Sequence, residues 1–267
     1  YERDLDISRA VASVRYRVGD TRHIREVFAS APAGVVVARI TDDRPGSVSF
    51  TARLSREERC YVEVQGPVEL VMRATMTAGD GEDGMCYVAR LRAVACGGRV
   101  SAEAGALRVV GADAVTLLVS ASTSLRGDRH EQLAREALDS AAAVPYDNLL
   151  ASHVVDHRAL FDRVSLELGP GSDALPTDER IRAVEAGDED PGLVALLYQY
   201  GRYLLIASSR PGDLPAHLQG VWNHHIQPPW NCDYHLNINV QMNYWLAETA
   251  NLPECAEPLF DLIGTLV

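Results

Sequence analysis

Hydrophobic positions along the first half of the chain recur every second residue. In GSVSFTARLS (46–55), Val48, Phe50, Ala52 and Leu54 alternate with Ser47, Ser49, Thr51 and Arg53. That period belongs to a strand with one buried and one wet face. MCYVARLRAV (85–94) repeats the pattern, setting Tyr87, Ala89 and Leu91 against Arg90 and Arg92. Further apolar runs at 34–40 and 115–121 are separated by Gly, Asp and Pro clusters. Many short strands with no helical period between them predict an antiparallel β-sandwich.

After about residue 127 the period changes. DRHEQLAREALDSAAA (128–143) is built from strong helix formers, Pro145 interrupts it, and an amphipathic stretch runs from Asp147 to Phe161. A polar segment, GPGSDALPTDER, leads to a further helix in which Asp190 can cap and Pro191 suits the first turn. Leu193, Leu197, Tyr200 and Leu204 would form its apolar face, and Pro211 with Gly212 would end it. A long loop follows, then helical patterns at about 240–250 and from Cys255 onward.

The 267 residues are 47% hydrophobic and 23% charged, a composition of globular proteins rather than disordered ones. A formal net charge of −12 argues against nucleic acid or an anionic membrane surface as partner, since both need clustered positive charge. The five cysteines are scattered and odd in number, which indicates neither a disulfide framework nor a zinc ribbon. No apolar run reaches the ~18 residues of a membrane helix. The chain opens on Tyr1 and closes on the uncapped LFDLIGTLV, so it reads as a fragment.

Side-chain chemistry concentrates in one place. WNCDYHLNIN (230–239) holds an indole, a thiol, a phenol, an imidazole and three primary amides, with Asp233 its one carboxylate. Trp222, Trp230 and Trp245 all lie nearby, interleaved with His and Asn. Amphipathic rings beside neutral donors and acceptors suit a sugar, with hydroxyls at its edges and C–H groups on its faces. Trp222, Asn223, Trp230 and His235 are the candidate substrate-binding residues, whereas Trp245 reads as core. Two metal patterns compete: His153, Asp156 and His157 in HVVDH, and the set His224, His225, Cys232, Asp233 and His235. The first has too short an acid and no third ligand, and the second matches no compact finger. No metal and no cofactor are expected.

The stretch LPAHLQGVWNHHIQPPWNCDYHLNINVQMNYWLAETANLPECAEPLFDLI (214–263) resembles the most recognisable block of glycoside hydrolase family 95, which includes inverting α-L-fucosidases. ASVRY, REVFAS, HRALFDRVSLELG, LPTDER and GRYLLIASSRPG are also similar to the family's pattern. The resemblance implies a β-sandwich over 1–126, a helical linker over 127–188 and the first helices of an (α/α)6 barrel over 189–267. It implies roles too. The family's NxN pattern matches Asn237 and Asn239, which would orient the attacking water for a base aspartate. That base, and an acid glutamate, would lie beyond residue 267. Were LNIN extended, both amides would point to one face and converge on one water. Asp233, Glu248 and Glu254 stand outside the family's catalytic motif.

The implied partner is a fucosylated glycan or oligosaccharide, with no nucleic acid and no membrane, and a chain lacking both acids would be inactive alone. α-L-Galactosides, a sugar phosphorylase of similar architecture and a non-catalytic carbohydrate-binding fragment remain as alternatives. The resemblance favours a secreted or periplasmic protein over a cytoplasmic one.

Overall fold

A computed structural model describes residues 1–77 and 81–266, with Arg126 described by its backbone alone. The chain divides into two compact units, Tyr1–Asp156 and His157–Val267.

The first unit is a sandwich of antiparallel strands. β1 (Glu2–Asp6), β2 (Val11–Val18), β3 (Thr21–Ser30), β4 (Val35–Asp42), β6 (Cys60–Val64), β7 (Glu69–Thr77), β8 (Asp83–Cys96) and β11 (Ala114–Thr123) form an eight-stranded sheet in the order β1-β2-β3-β4-β11-β8-β7-β6. β5 (Val48–Ala52), β9 (Arg99–Glu103) and β10 (Ala106–Ala112) form a three-stranded sheet in the order β5-β10-β9. Val48, Leu70, Leu91, Leu107, Val109 and Val115 make one core cluster drawn from both sheets. Along β11 the alternate positions point the other way. Leu118 joins Phe28, Val37, Leu138 and Leu149 in a second cluster, and the Ser120 hydroxyl donates to the Ala134 carbonyl.

That second cluster exists because α1 (His130–Ala142) lies on the large sheet, joined by the first turns of α2 (Tyr146–Phe161). It corrects one expectation. The arginine face of β8 is covered rather than wet, and Arg90 is 0% exposed. Its guanidinium donates to Glu69 Oε1 at 2.7 Å and Gln65 Oε1 at 2.9 Å. The other Glu69 oxygen accepts from Arg92, and Arg73 bonds Glu131 of α1 as well as Glu63. Period-two alternation was right, but an ionic network takes the place of solvent beneath the helix.

In the second unit, α3 (Thr177–Glu185), α4 (Pro191–Ser208), α5 (Asn239–Thr249) and α6 (Glu257–Gly264) follow. α3 falls in sequence read above as a polar approach to the next helix. Pro176 and the first-turn acids Asp178 and Glu179 are its start signal. Asp190 caps α4 as expected, its carboxylate accepting from the Leu193 N–H at 2.9 Å. The same carboxylate takes a bidentate pair from Arg180, both bonds 2.8 Å, which holds it down to about 2.

The apolar face assigned to α4 is a second correction: Leu197 and Tyr200 are exposed, while Arg202, Leu205 and Ile206 are buried. The reason is Arg202, itself 0% exposed. It donates to the carbonyls of Leu160, Phe161 and Val164 at 3.1, 2.7 and 3.1 Å, and to Ala250 at 3.3 Å. Leu160, Phe161 and Ala250 lie at the C-terminal ends of α2 and α5, where the helix dipole is negative, and Val164 follows α2 by three residues, so a cation is stabilised without a carboxylate. No helix among the described residues is long and apolar enough to cross a membrane.

Two outcomes follow. Glu69→Ala takes from the buried Arg90 its close carboxylate, leaving Glu131 Oε2 at 3.6 Å and the Gln65 amide, which should cost about 3–5 kcal/mol in urea unfolding. His153, buried against Phe28 with Nε2 3.1 Å from the Ala10 carbonyl, has its pKa lowered by burial. The unfolded chain therefore takes up a proton near pH 6.5 that the folded chain refuses, so stability is full above about 6.5 and falls as pH drops below it. His153→Phe should remove about one proton from that slope.

Candidate functional site

The segment between α4 and α5 has little regular structure, so side chains must hold it. Tyr244 on α5 is the main anchor. Its hydroxyl accepts the Ala216 N–H at 2.7 Å and shares a 2.8 Å bond with the Ser209 hydroxyl, which donates to the Cys255 carbonyl at 2.7 Å. Burial raises the Tyr244 pKa and pushes the Cys255 thiol up to about 11, so both stay protonated at neutral pH. Asn243 Nδ2 donates to the carbonyl of His217, and the Tyr234 hydroxyl to that of Pro215. None of these anchors stood out in the sequence, where a serine after a helix and a tyrosine within one are commonplace.

A tight turn, His217 to Gly220, closes with paired backbone bonds of 3.1 and 2.9 Å. Gly220 has φ +67, and a Cβ there would lie 2.6 Å from the Trp222 ring. Glycine is thus required twice over, for its conformation and for the indole lying on it. Further along, Trp230, Asn231 and Cys232 are three successive non-glycine residues in the left-handed region, each with φ 54. Each costs about 1–2 kcal/mol. Local bonds hold the turn: the Cys232 thiol to Gln219 Oε1 at 2.9 Å, Gln227 Nε2 to Asn231 Oδ1 at 2.7 Å, and the Asp233 N–H to the Trp230 carbonyl. The strained turn throws Trp230 into solvent, 77% exposed, with the His235 ring edge-on at 5.8 Å. His235 Nε2 also lies 3.4 Å from the Trp230 carbonyl.

LNIN is not extended. Leu236, Asn237 and Ile238 form a turn and Asn239 is the first residue of α5. The two amides therefore sit on a turn entering a helix, not on the pleat of a strand. The Gln241 amide ties this turn by donating to the Leu236 carbonyl at 2.6 Å.

The bonding of the neighbouring amides separates them into two groups. Asn223 closes on the His225 backbone with both ends of its amide. Gln219, Gln227, Asn231, Gln241 and Asn243 are likewise engaged. Asn237 and Asn239, among the described residues, make no side-chain hydrogen bond. They do not satisfy buried backbone groups.

The remaining candidates fall as follows. Trp222 is about half exposed, and Trp245, expected in the core, is 62% exposed on α5 because Tyr244 and Ala247 take the inward positions. Glu254 is consumed by Arg163, with bonds of 2.8 and 2.9 Å that lower its pKa, while Asp233 and Glu248 are exposed. His153 and His157 are buried and stacked on Phe28 and Phe161 respectively. Among the described residues no three His, Cys, Asp or Glu side chains are grouped to hold a metal.

Comparison with known proteins adds the following. Residues 145–267 match the glycosyl hydrolase family 95 catalytic domain, and residues 1–128 the glycosyl hydrolase family 65 N-terminal domain. Alpha-L-fucosidase 2 of Arabidopsis thaliana is 40% identical over 100% of this chain and 36% of its own length. Probable alpha-fucosidase A of Aspergillus niger is 31% identical over 97% of this chain and 35% of its own length. The chain thus spans little more than a third of these relatives. A putative kojibiose phosphorylase from human microbiome shares the fold, with TM-score 0.51 at 11% identity, over 80% of this chain and 28% of that one.

Tyr244→Phe should strand the Ala216 N–H in the interior and take from Ser209 Oγ one of its two bonds, leaving its donation to the Cys255 carbonyl. A loss of about 1–3 kcal/mol is expected on thermal unfolding. A change in the near-ultraviolet circular dichroism of the tryptophans should accompany it, as the 216–222 segment loosens.

Proposed function

With residues 145–267 belonging to the glycosyl hydrolase family 95 catalytic domain, we propose that the protein containing this chain is a glycosidase that releases terminal α-L-fucose from fucosylated glycans or oligosaccharides, with inversion at the anomeric carbon. The observation that carries the reading is the pair of unengaged amides, Asn237 and Asn239, in a segment whose other amides are spent on holding the loop. Side chains left without a structural partner at the end of a strained loop are available to a ligand.

In an inverting hydrolysis the acid and base carboxyls stand about 6.5–9.5 Å apart, leaving room for one water. An amide cannot take that water's proton. Its carbonyl can accept a hydrogen bond from the water and its NH2 can donate one, which fixes the oxygen for in-line attack while a carboxylate removes the proton. Asn237 and Asn239 take this orienting role. The base and the proton donor come from elsewhere in the longer protein, consistent with Glu254 being locked to Arg163. Trp222 and Trp230 offer indole faces to the sugar's C–H groups, and His235, beside Trp230, presents an imidazole to a hydroxyl. The exposed apolar side chains of α4 and α5, such as Leu197 and Trp245, suit an (α/α)6 barrel in which further helices pack on them. The sandwich, linker and barrel division at 1–126, 127–188 and 189–267 belongs to the same proposal.

The test is mutational, in the full-length enzyme. Asn237→Ala and Asn239→Ala should each lower kcat by about 10²–10³, the loss typical of one preorganised polar contact, with KM little changed. The double variant should cost less than the product of the single losses, because one missing amide already frees the water. Folded variants with near-normal kcat would refute the orienting role. A rise in KM alone would make both residues sugar ligands.

A further inference from the structure

The first unit contains a cavity that the proposed reaction does not use. It has a volume of about 540 Å³ and lies where β6, β7 and β8 meet the start of α1. We propose that this cavity is a second carbohydrate site, taking one or two units of a neutral sugar.

Charge balance identifies the class of ligand. The cavity wall includes two guanidiniums, but neither is free. Arg59 bonds Asp83 at 2.5 Å and Thr77 at 2.7 Å. Arg73 is held by Glu131 and Glu63. Both lining guanidiniums are matched by at least one carboxylate, so an anion gains no unpaired charge from them, and a cation meets two arginines; Arg56 lies over the Tyr87 ring at 5.5 Å. A neutral ligand with many hydroxyls can hydrogen-bond to the rims of such pairs without breaking them.

The aromatic groups agree. Tyr61, on the edge strand β6, is 57% exposed at the cavity and presents a phenol ring on which a pyranose face can stack. Deeper in the wall, Tyr87 Oη and His130 Nδ1 are buried without a hydrogen-bond partner among the described residues. An unmet buried polar atom is costly, and a hydroxyl reaching either one after a small side-chain rotation would recover that loss. The volume is near the low end of small-molecule sites and exceeds what one hexose fills. Because the large sheet and α1 form most of the wall, with Arg59 added from the bend before β6, the site is built mainly on regular structure.

The experiment uses the 267-residue chain, isotope-labelled so that its histidine and tyrosine ring signals are resolved by NMR. The probes are L-fucose, D-galactose and lactose as neutral sugars, with D-glucuronate and sodium sulfate as anions. At least one neutral sugar should shift the His130 and Tyr87 signals saturably at millimolar concentration, and neither anion should. Tyr61→Ala, at an exposed position, should weaken that binding about fivefold or more, as expected for loss of one stacking face. Tyr87→Phe, which keeps the ring, should weaken it by a smaller factor, and Trp230→Ala should leave it unchanged. The proposal is overturned if no neutral sugar shifts His130 or Tyr87, if an anion shifts them more strongly, or if Trp230→Ala rather than Tyr61→Ala abolishes the response. None of these outcomes depends on the Asn237 and Asn239 variants.

Discussion

One buried cation sets the geometry on which the candidate site depends. Arg202 gathers carbonyls from the end of α2 and the end of α5 around a single guanidinium, and burial lowers its pKa without removing its charge. One planar guanidinium donates to four backbone carbonyls at or just past helix ends, groups that helix termini would otherwise leave unpaired, and to the Gln199 side chain. Because α4 carries the arginine and α5 supplies one of the carbonyls, the contact fixes where α5 ends and, through a rigid helix, where it begins. Asn239 is that beginning.

From there the site is assembled by progressively weaker constraints. Tyr244 and Ser209 tie the return loop to α5. Gly220 lets an indole lie on the backbone, and Gln219 and Gln227 hold three residues in a conformation that L-amino acids avoid. That strain is tolerable only because the surrounding bonds over-determine it. The result is a loop whose polar side chains divide into two kinds. Most are spent on the loop itself, and Asn237 and Asn239 are left over. A chemically useful amide is one that its own scaffold does not need.

Much of this was legible in the sequence where one rule acted alone. Alternation located β5, β8 and β11, and Asp190 with Pro191 marked the start of α4, because strand pleat and helix capping are local properties. The expectations that failed were those settled by a distant neighbour. Arg90 was assigned to solvent by its period and is buried because α1 lies on that face. Leu197 and Tyr200 were assigned to the core by spacing and face outward, since Arg202 turns α4 the other way. LNIN was given the geometry of a strand, and its helical entry follows from the anchoring of α5 rather than from its own residues. The site's composition was readable and the family resemblance singled out Asn237 and Asn239, but local sequence alone did not show which amides the loop itself would use. Eight amides between Gln219 and Asn243 compete for partners, and only the folded loop decides which six are used.

The central claim is that Asn237 and Asn239 share one water aimed at the anomeric carbon. A high-resolution crystal structure of the full-length enzyme with α-L-fucose or a stable analogue bound tests it directly. The account requires an ordered water within about 2.6–3.2 Å of both side-chain amides and of a carboxylate, on the sugar face opposite the leaving group. Amides bonded directly to sugar hydroxyls, with no water common to the two, would contradict it.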